Sequence, residues 1–224
     1  MAEKYGTIPK KFTKEWWSWF WMYYKWYVIG TVFALTLLTI TIIDAVTAEK
    51  YDATVLYAGH RYYTTETQEK FEEILSPMIE DVDGNGKKSI YFSSLDVDTS
   101  SKDVEYLQAR ALKIDTSFTE KGTYLYIMDK ELADLYKGED AGEMVFAPLD
   151  DWLTADISGL ATYDAHGKAY GVDISNLKFF KDAEIDTSGL YLFMRYYPRS
   201  DQRKSQLKGY NASIKLANEI LSVQ

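Results

Sequence analysis

His60 and His166 carry the only two imidazoles in a 224-residue chain that contains no cysteine. The missing thiols remove disulfides, thiolate metal sites, a cysteine nucleophile and the acylated cysteine of a lipoprotein anchor. A catalytic triad or a zinc site would have to use one of the two histidines. Neither lies in a GxSxG, HExxH or GxxxxGK[ST] setting, so nothing in the spacing points to serine hydrolysis, metalloproteolysis or nucleotide chemistry. Acids are abundant enough to pair as glycosidase carboxylates, but spacing alone singles out no pair.

The run Asp81-Val82-Asp83-Gly84-Asn85-Gly86 matches the opening of a calcium loop. Oxygen ligands alternate at its first, third and fifth positions, and a glycine at the sixth allows the sharp turn. Asp81, Asp83 and Asn85 are therefore candidate calcium ligands. The twelfth position is Phe92 rather than a bidentate Glu, so Glu80 or Asp98 would have to complete the shell. The same residues also suit a turn built from Asp, Asn and Gly with no ion at all. No other cofactor is expected.

A second group comprises Gly59, His60, Arg61, Tyr62 and Tyr63, with Ser93, Ser94, Asp96 and Asp129 further along. Aromatic faces, hydroxyls, a cation and carboxylates suit a sugar, a peptide or a protein surface. They meet only if the intervening chain folds as alternating strands and helices. ATVLYA at 53–58 reads as a buried strand. Phe71, Ile74, Leu75, Met78 and Ile79 then mark a helix that Thr64, Thr65 or Thr67 could cap. SIYFSS at 89–94 reads as a second strand, and Val104, Leu107, Ala111, Ile114 and Phe118 share one face of a second helix. Gly122 ends that helix before TYLYIM at 123–128, which leads through Asp129 into a short helix at 131–136.

This β-α-β-α-β-α order predicts an α/β domain of three layers around a mainly parallel sheet. In such sheets ligands bind beyond the carboxyl ends of the strands. That expectation puts all nine residues of the second group on one rim, unless they are ordinary solvated loop residues. Beyond 138 the pattern loosens. AYGVDI at 169–174 and GLYLFMRYY at 189–197, stopped by Pro198, read as strands, and Leu207, Tyr210, Ile214, Ala217 and Leu221 mark a last helix. The run from Phe193 to Arg199 could dock a partner or lie in the core.

Ahead of this domain, residues 26–43 read WYVIGTVFALTLLTITII without a charge, between Lys25 and Asp44. Eighteen helical residues span about 27 Å, close to a hydrocarbon core of about 30 Å. Residues 26–46 are thus expected to cross a lipid bilayer. Trp16, Trp17, Trp19, Trp21, Tyr23, Tyr24, Lys25 and Trp26 suit the headgroup zone, where amphipathic rings gather, and an interfacial helix over 12–25 follows. Residues 1–25 carry five lysines against Glu3 and Glu15. The positive-inside rule then places the N-terminus in the cytoplasm and residues 50–224 outside. Val46-Thr47-Ala48 also offers a signal-peptidase cut before Glu49, although the apolar run is longer than a signal peptide needs. Gly30 stands alone, with no glycine pair to drive dimerisation in the membrane.

The whole chain has a net charge of −9 and residues 1–25 carry +3, so the part from the span onward is strongly acidic. An acidic surface repels phosphates, which excludes nucleic acid as a partner. An extracytoplasmic domain without disulfides fits a bacterial plasma membrane better than a eukaryotic secretory route.

The aromatic entry YYKWYVIG resembles membrane-anchored extracellular proteins of low-GC Gram-positive gut bacteria. TYLYIMD, FAPLDDWL and AYGVDIS resemble one lobe of an extracellular solute-binding protein over residues 53–175. The resemblance implies that lobe fold, without the second lobe a clamshell needs. The sequence thus leads to a single-pass anchored surface protein with a non-catalytic domain that binds an unknown ligand or an envelope protein. A tethered hydrolase of surface carbohydrate or peptide, or a structural subunit of an envelope complex, are the alternatives.

Overall fold

A computed structural model describes residues 9–47, 51–120, 122–197 and 204–223. The chain divides into two compact units, Met1–Glu49 and Lys50–Gln224. Lys4, the Ala48–Glu49 cut point and the Pro198-Arg199 stop lie outside the described residues.

In the first unit the described residues form one continuous helix, α1 (Lys14–Thr47), from Lys14 onward. The hydroxyl of Thr13 accepts the Trp16 backbone N–H at 3.3 Å and opens it. The expected interfacial helix and span are therefore one rod of about 51 Å. Its stretch Lys14–Ile43 is long and apolar enough to cross a membrane. Thr36, Thr39 and Thr41 each donate to the carbonyl four residues back, so no hydroxyl among them needs water. Trp16, Phe20 and Tyr24 stack along one face at 5.3 Å per step.

The second unit is an α/β domain. Its strands are β1 (Ala53–Gly59), β2 (Ile90–Asp96), β3 (Thr123–Asp129), β4 (Thr162–Ala165), β5 (Lys168–Asp173) and β6 (Leu190–Met194). They form one sheet in the order β2-β1-β3-β6-β5-β4. The helices are α2 (Thr65–Leu75), α3 (Val104–Ser117), α4 (Lys130–Leu135), α5 (Lys178–Asp182) and α6 (Lys204–Ser222). Thr64 caps α2, accepting from the Thr67 N–H, and Asp103 caps α3 through Tyr106.

Strand residues alternate between two cores. Val55, Tyr57, Phe92, Leu125 and Leu192 face Phe71 of α2, Phe180 of α5 and Leu216 of α6. Leu56, Ala58, Leu95, Tyr126 and Phe193 face Ile114 of α3 and Leu132 of α4. Helices thus cover both faces of the sheet, giving three layers.

The expectation of a mainly parallel sheet needs correction. β1 pairs parallel with β2 and β3, whereas β6, β5 and β4 add antiparallel. β6 is apolar on both faces, a pattern that fits either direction. β4 and β5 form a hairpin turned by His166 and Gly167, at φ 49° and 76°, the left-handed pair that a two-residue hairpin turn requires.

Candidate functional site

Within the parallel half, the order β2-β1-β3 brings the carboxyl ends of β1 and β3 side by side. Connections leave them for opposite faces of the sheet, α2 on one and α4 on the other, and the gap between such ends is where open α/β sheets bind ligands. Gly59 ends β1 there, and a Cβ on it would fall 2.7 Å from the Tyr57 hydroxyl and 2.8 Å from Asp129 Oδ2. Only glycine lets the strand pass this close beneath the Asp129 carboxylate.

Asp129 ends β3 and is 7% exposed. Its Oδ1 accepts the Leu132 N–H at 2.8 Å, capping α4. Its Oδ2 accepts the His60 backbone N–H at 2.9 Å and meets His60 Nδ1 at 3.0 Å. A carboxylate only accepts, so Nδ1 carries a proton, and in the neutral tautomer this leaves Nε2 as an acceptor. That imidazole is 62% exposed. His60, Asp129, Lys130, Glu131 and Gly189 line an open hollow of about 330 Å³. The hollow thus combines an imidazole and a lysine with two carboxylates, and Lys130 is drawn aside by Asp134 at 2.7 Å.

The remaining rim residues divide. Tyr62 is exposed, whereas Tyr63 is buried, packing against Tyr57 and Phe71. Arg61 straps the 186–188 loop, donating to the Asp186 and Ser188 carbonyls at 3.1 and 3.2 Å and pairing with the Asp186 carboxylate at 3.2 Å. The Tyr63 hydroxyl also donates to the Asp186 carbonyl. Bonds from Ser188, and then Arg61, hold the Asp186 carboxyl below the usual carboxylate range, and burial pushes the Tyr57 and Tyr63 hydroxyls up.

Ser93 and Ser94 are not on the rim, because β2 continues to Asp96 and they pair within the ladder opposite Leu56 and Tyr57. Asp96 does reach the strand end, opposite Gly59, but is paired with Arg110 at 3.1 Å. The structure thus keeps His60 and Asp129 together and adds Lys130, Glu131 and Gly189. Gly189 and Asp186 carried no sequence signal, since only the antiparallel return of β6 brings their loop beside β1.

At the opposite end of the sheet, Asp81, Asp83 and Asn85 fold into a tight turn. Asp81 accepts the N–H groups of Gly84, Asn85 and Gly86 at 2.6, 3.2 and 2.8 Å. These bonds, led by that from Gly86, hold its carboxyl low. Asp52, buried just before β1, accepts from Val82 at 2.6 Å and Ser89 at 2.9 Å. Carboxylate oxygens of Asp52, Asp81 and Asp83 lie within 4.8 Å of one another and could hold a cation. Asp52 escaped the sequence reading because it stands far from the loop in the chain. Glu80 pairs instead with Lys215, and Asp98 lies past the carboxyl end of β2, at the other end of the strands.

His166 sits in the β4–β5 turn with Nε2 3.0 Å from the Lys137 carbonyl. Arg195, directly after β6, is buried rather than offered to a partner. Comparison with family models, curated proteins and solved structures finds no match.

Proposed function

We propose that this chain is a single-pass, membrane-anchored surface protein of a bacterial plasma membrane. Its N-terminus is cytoplasmic, and residues 50–224 form an extracytoplasmic domain that binds a ligand without chemical turnover. The site is the hollow between the ends of β1 and β3. The observation that carries this reading is the His60–Asp129 pair, which presents an imidazole edge into an open polar hollow. A sugar hydroxyl or a peptide amide could bond Nε2 and the neighbouring carboxylates. The resemblance to a solute-binding lobe supports the same reading.

Two measurements test it. Protease shaving of intact cells should release fragments of 50–224 and leave residues 1–45 with the cell. Protection until lysis would invert the topology. The full chain in nanodiscs, screened with oligosaccharides and short peptides, should show a hit that His60→Ala weakens. A hit indifferent to His60→Ala would move the site elsewhere.

A second reading is a tethered hydrolase of surface carbohydrate or peptide. It is favoured by the same Nδ1 contact, which would fix Nε2 as a general base toward water. Among the described residues, no side chain lining the hollow carries a hydroxyl or thiol nucleophile. Turnover of any screened sugar or peptide, lost in His60→Ala, would replace binding with catalysis.

A further inference from the structure

A helix that covers a sheet normally buries its apolar stripe. Of the α3 stripe Val104, Leu107, Ala111 and Ile114, only Ile114 is buried, and Val104 is 62% exposed. Across from it Leu135 of α4 is 71% exposed. Leu107, Ala111, Ile114, Leu132 and Leu135 line a groove of about 210 Å³ between the two helices. Hydrophobic surface left open between helices is the geometry that accepts a third helix through its apolar face.

The border of the groove identifies what enters. Asp98 lies between Val97 and Thr99, both of which line it. Asp103 caps α3 beside Val104, Glu131 accepts from Thr99, and Asp115 stands beside Tyr136 at the far end. Among the described residues none of these four carboxylates pairs with a lysine or arginine. Lys102 stands next to Asp103 and Lys113 near Asp115, so four carboxylates against two lysines leave the border net negative, which complements an amphipathic helix whose apolar stripe is flanked by Lys or Arg. It repels an anionic lipid surface, and it repels a second copy, which would set four carboxylates against four.

We propose that the α3–α4 groove docks a basic amphipathic helix of a partner protein without using His60, although Glu131 borders both the groove and the hollow. The test uses the full chain in zwitterionic nanodiscs, with empty discs as the lipid background. The probes are an 18-residue (roughly five turns) Leu/Lys amphipathic peptide and its Leu/Glu counterpart. The Leu/Lys peptide should bind above background, weaken as salt rises, and lose at least about tenfold in affinity with Ala111→Arg. Ala111 is exposed, so that variant leaves the fold intact, and Leu135→Ser provides a second substitution on the facing helix. His60→Ala should leave this binding unchanged.

Equal binding of the Leu/Glu peptide, or binding indifferent to both groove variants, would overturn the proposal. Self-association of loaded discs that Ala111→Arg abolishes would overturn it in favour of a second copy. Groove-dependent recruitment to anionic vesicles would assign the surface to lipid.

Discussion

Asp129 holds His60 twice through a single oxygen, Oδ2, which accepts the backbone N–H at 2.9 Å and meets ring Nδ1 at 3.0 Å. The other oxygen is committed to α4. This carboxylate therefore joins β1 and β3 at their ends and aims the imidazole at the same time.

The two residues differ in what they contribute to stability. Asp129→Ala strands two backbone donors and should destabilise the domain by about 1–3 kcal/mol. His60→Ala removes only an exposed ring and should change stability by less than about 1 kcal/mol. Gly59→Ala should cost about 1–3 kcal/mol, because its methyl group meets the Tyr57 hydroxyl and the same carboxylate. Chemical denaturation of the detergent-solubilised full chain, following near-UV signals of the domain, measures all three. Equal losses in His60→Ala and Asp129→Ala would show that the imidazole is structural.

The aspartates near the amino ends of the strands are predicted to hold their turn without an ion. Backbone N–H groups already occupy Asp81 and Asp52, and no bidentate Glu follows, which places any calcium affinity in the millimolar range. Calcium at about 1 mM should therefore raise the melting temperature by less than about 2 °C. Asp52→Ala, by contrast, releases the Val82 and Ser89 N–H groups and should cost about 1–3 kcal/mol with or without calcium. A large calcium-dependent rise, lost in Asp81→Asn, would make the trio a metal site.

The local elements were legible because each is written in neighbouring residues. Val55, Tyr57, Phe71 and Leu75 mark β1 and α2, and Thr64 is one of the three capping residues expected. What required distant parts of the chain was not legible. The sequence reading found a strand at 189–197 but no direction for it, since Leu192 and Phe193 are both buried, each in a different core. Without that direction the 186–189 loop could not be brought to β1, and Arg61 looked like a free rim cation. The His166-Gly167 pair was a hairpin signal that went unread. Ser93 and Ser94 were misplaced because polar strand residues resemble a strand end when the register with β1 is unknown.

Alkaline pH should weaken the domain through Tyr126. Burial pushes its hydroxyl up to about 12, from about 10 in an unfolded chain. The unfolded state therefore releases this proton first. Stability from this group is fully present below pH 10 and is lost as pH rises through 12, by about 3 kcal/mol at most. Lysines titrate in the same window, so the comparison is between the native chain and Tyr126→Phe. The variant should lose less stability between pH 10 and 12, and parallel curves would show that Tyr126 ionises as freely folded as unfolded.

Arg195 supplies the sharpest test of the packing. It is 4% exposed and has no carboxylate partner among the described residues. Nη1 donates to the Ser117 and Phe118 carbonyls, Nη2 donates to the Glu120 carbonyl at 3.2 Å, and the guanidinium lies 4.9 Å from the Tyr124 ring centroid. The Ser117 and Phe118 carbonyls are the C-terminal end and cap of α3, where the helix carries partial negative charge, and Glu120 follows in the turn. The charge of Arg195 is thus balanced by a helix end and an aromatic face, while Nε has no partner among the described residues. Arg195→Met fills similar space but leaves the carbonyls without donors, and should destabilise the domain by roughly 2–4 kcal/mol. Arg195→Lys keeps the charge but concentrates it on one nitrogen that cannot reach both sides of the cap, so it should recover only part of the loss. Full recovery by lysine would mean that charge alone matters. A methionine variant as stable as the native chain would mean that the end of α3 is satisfied by other groups.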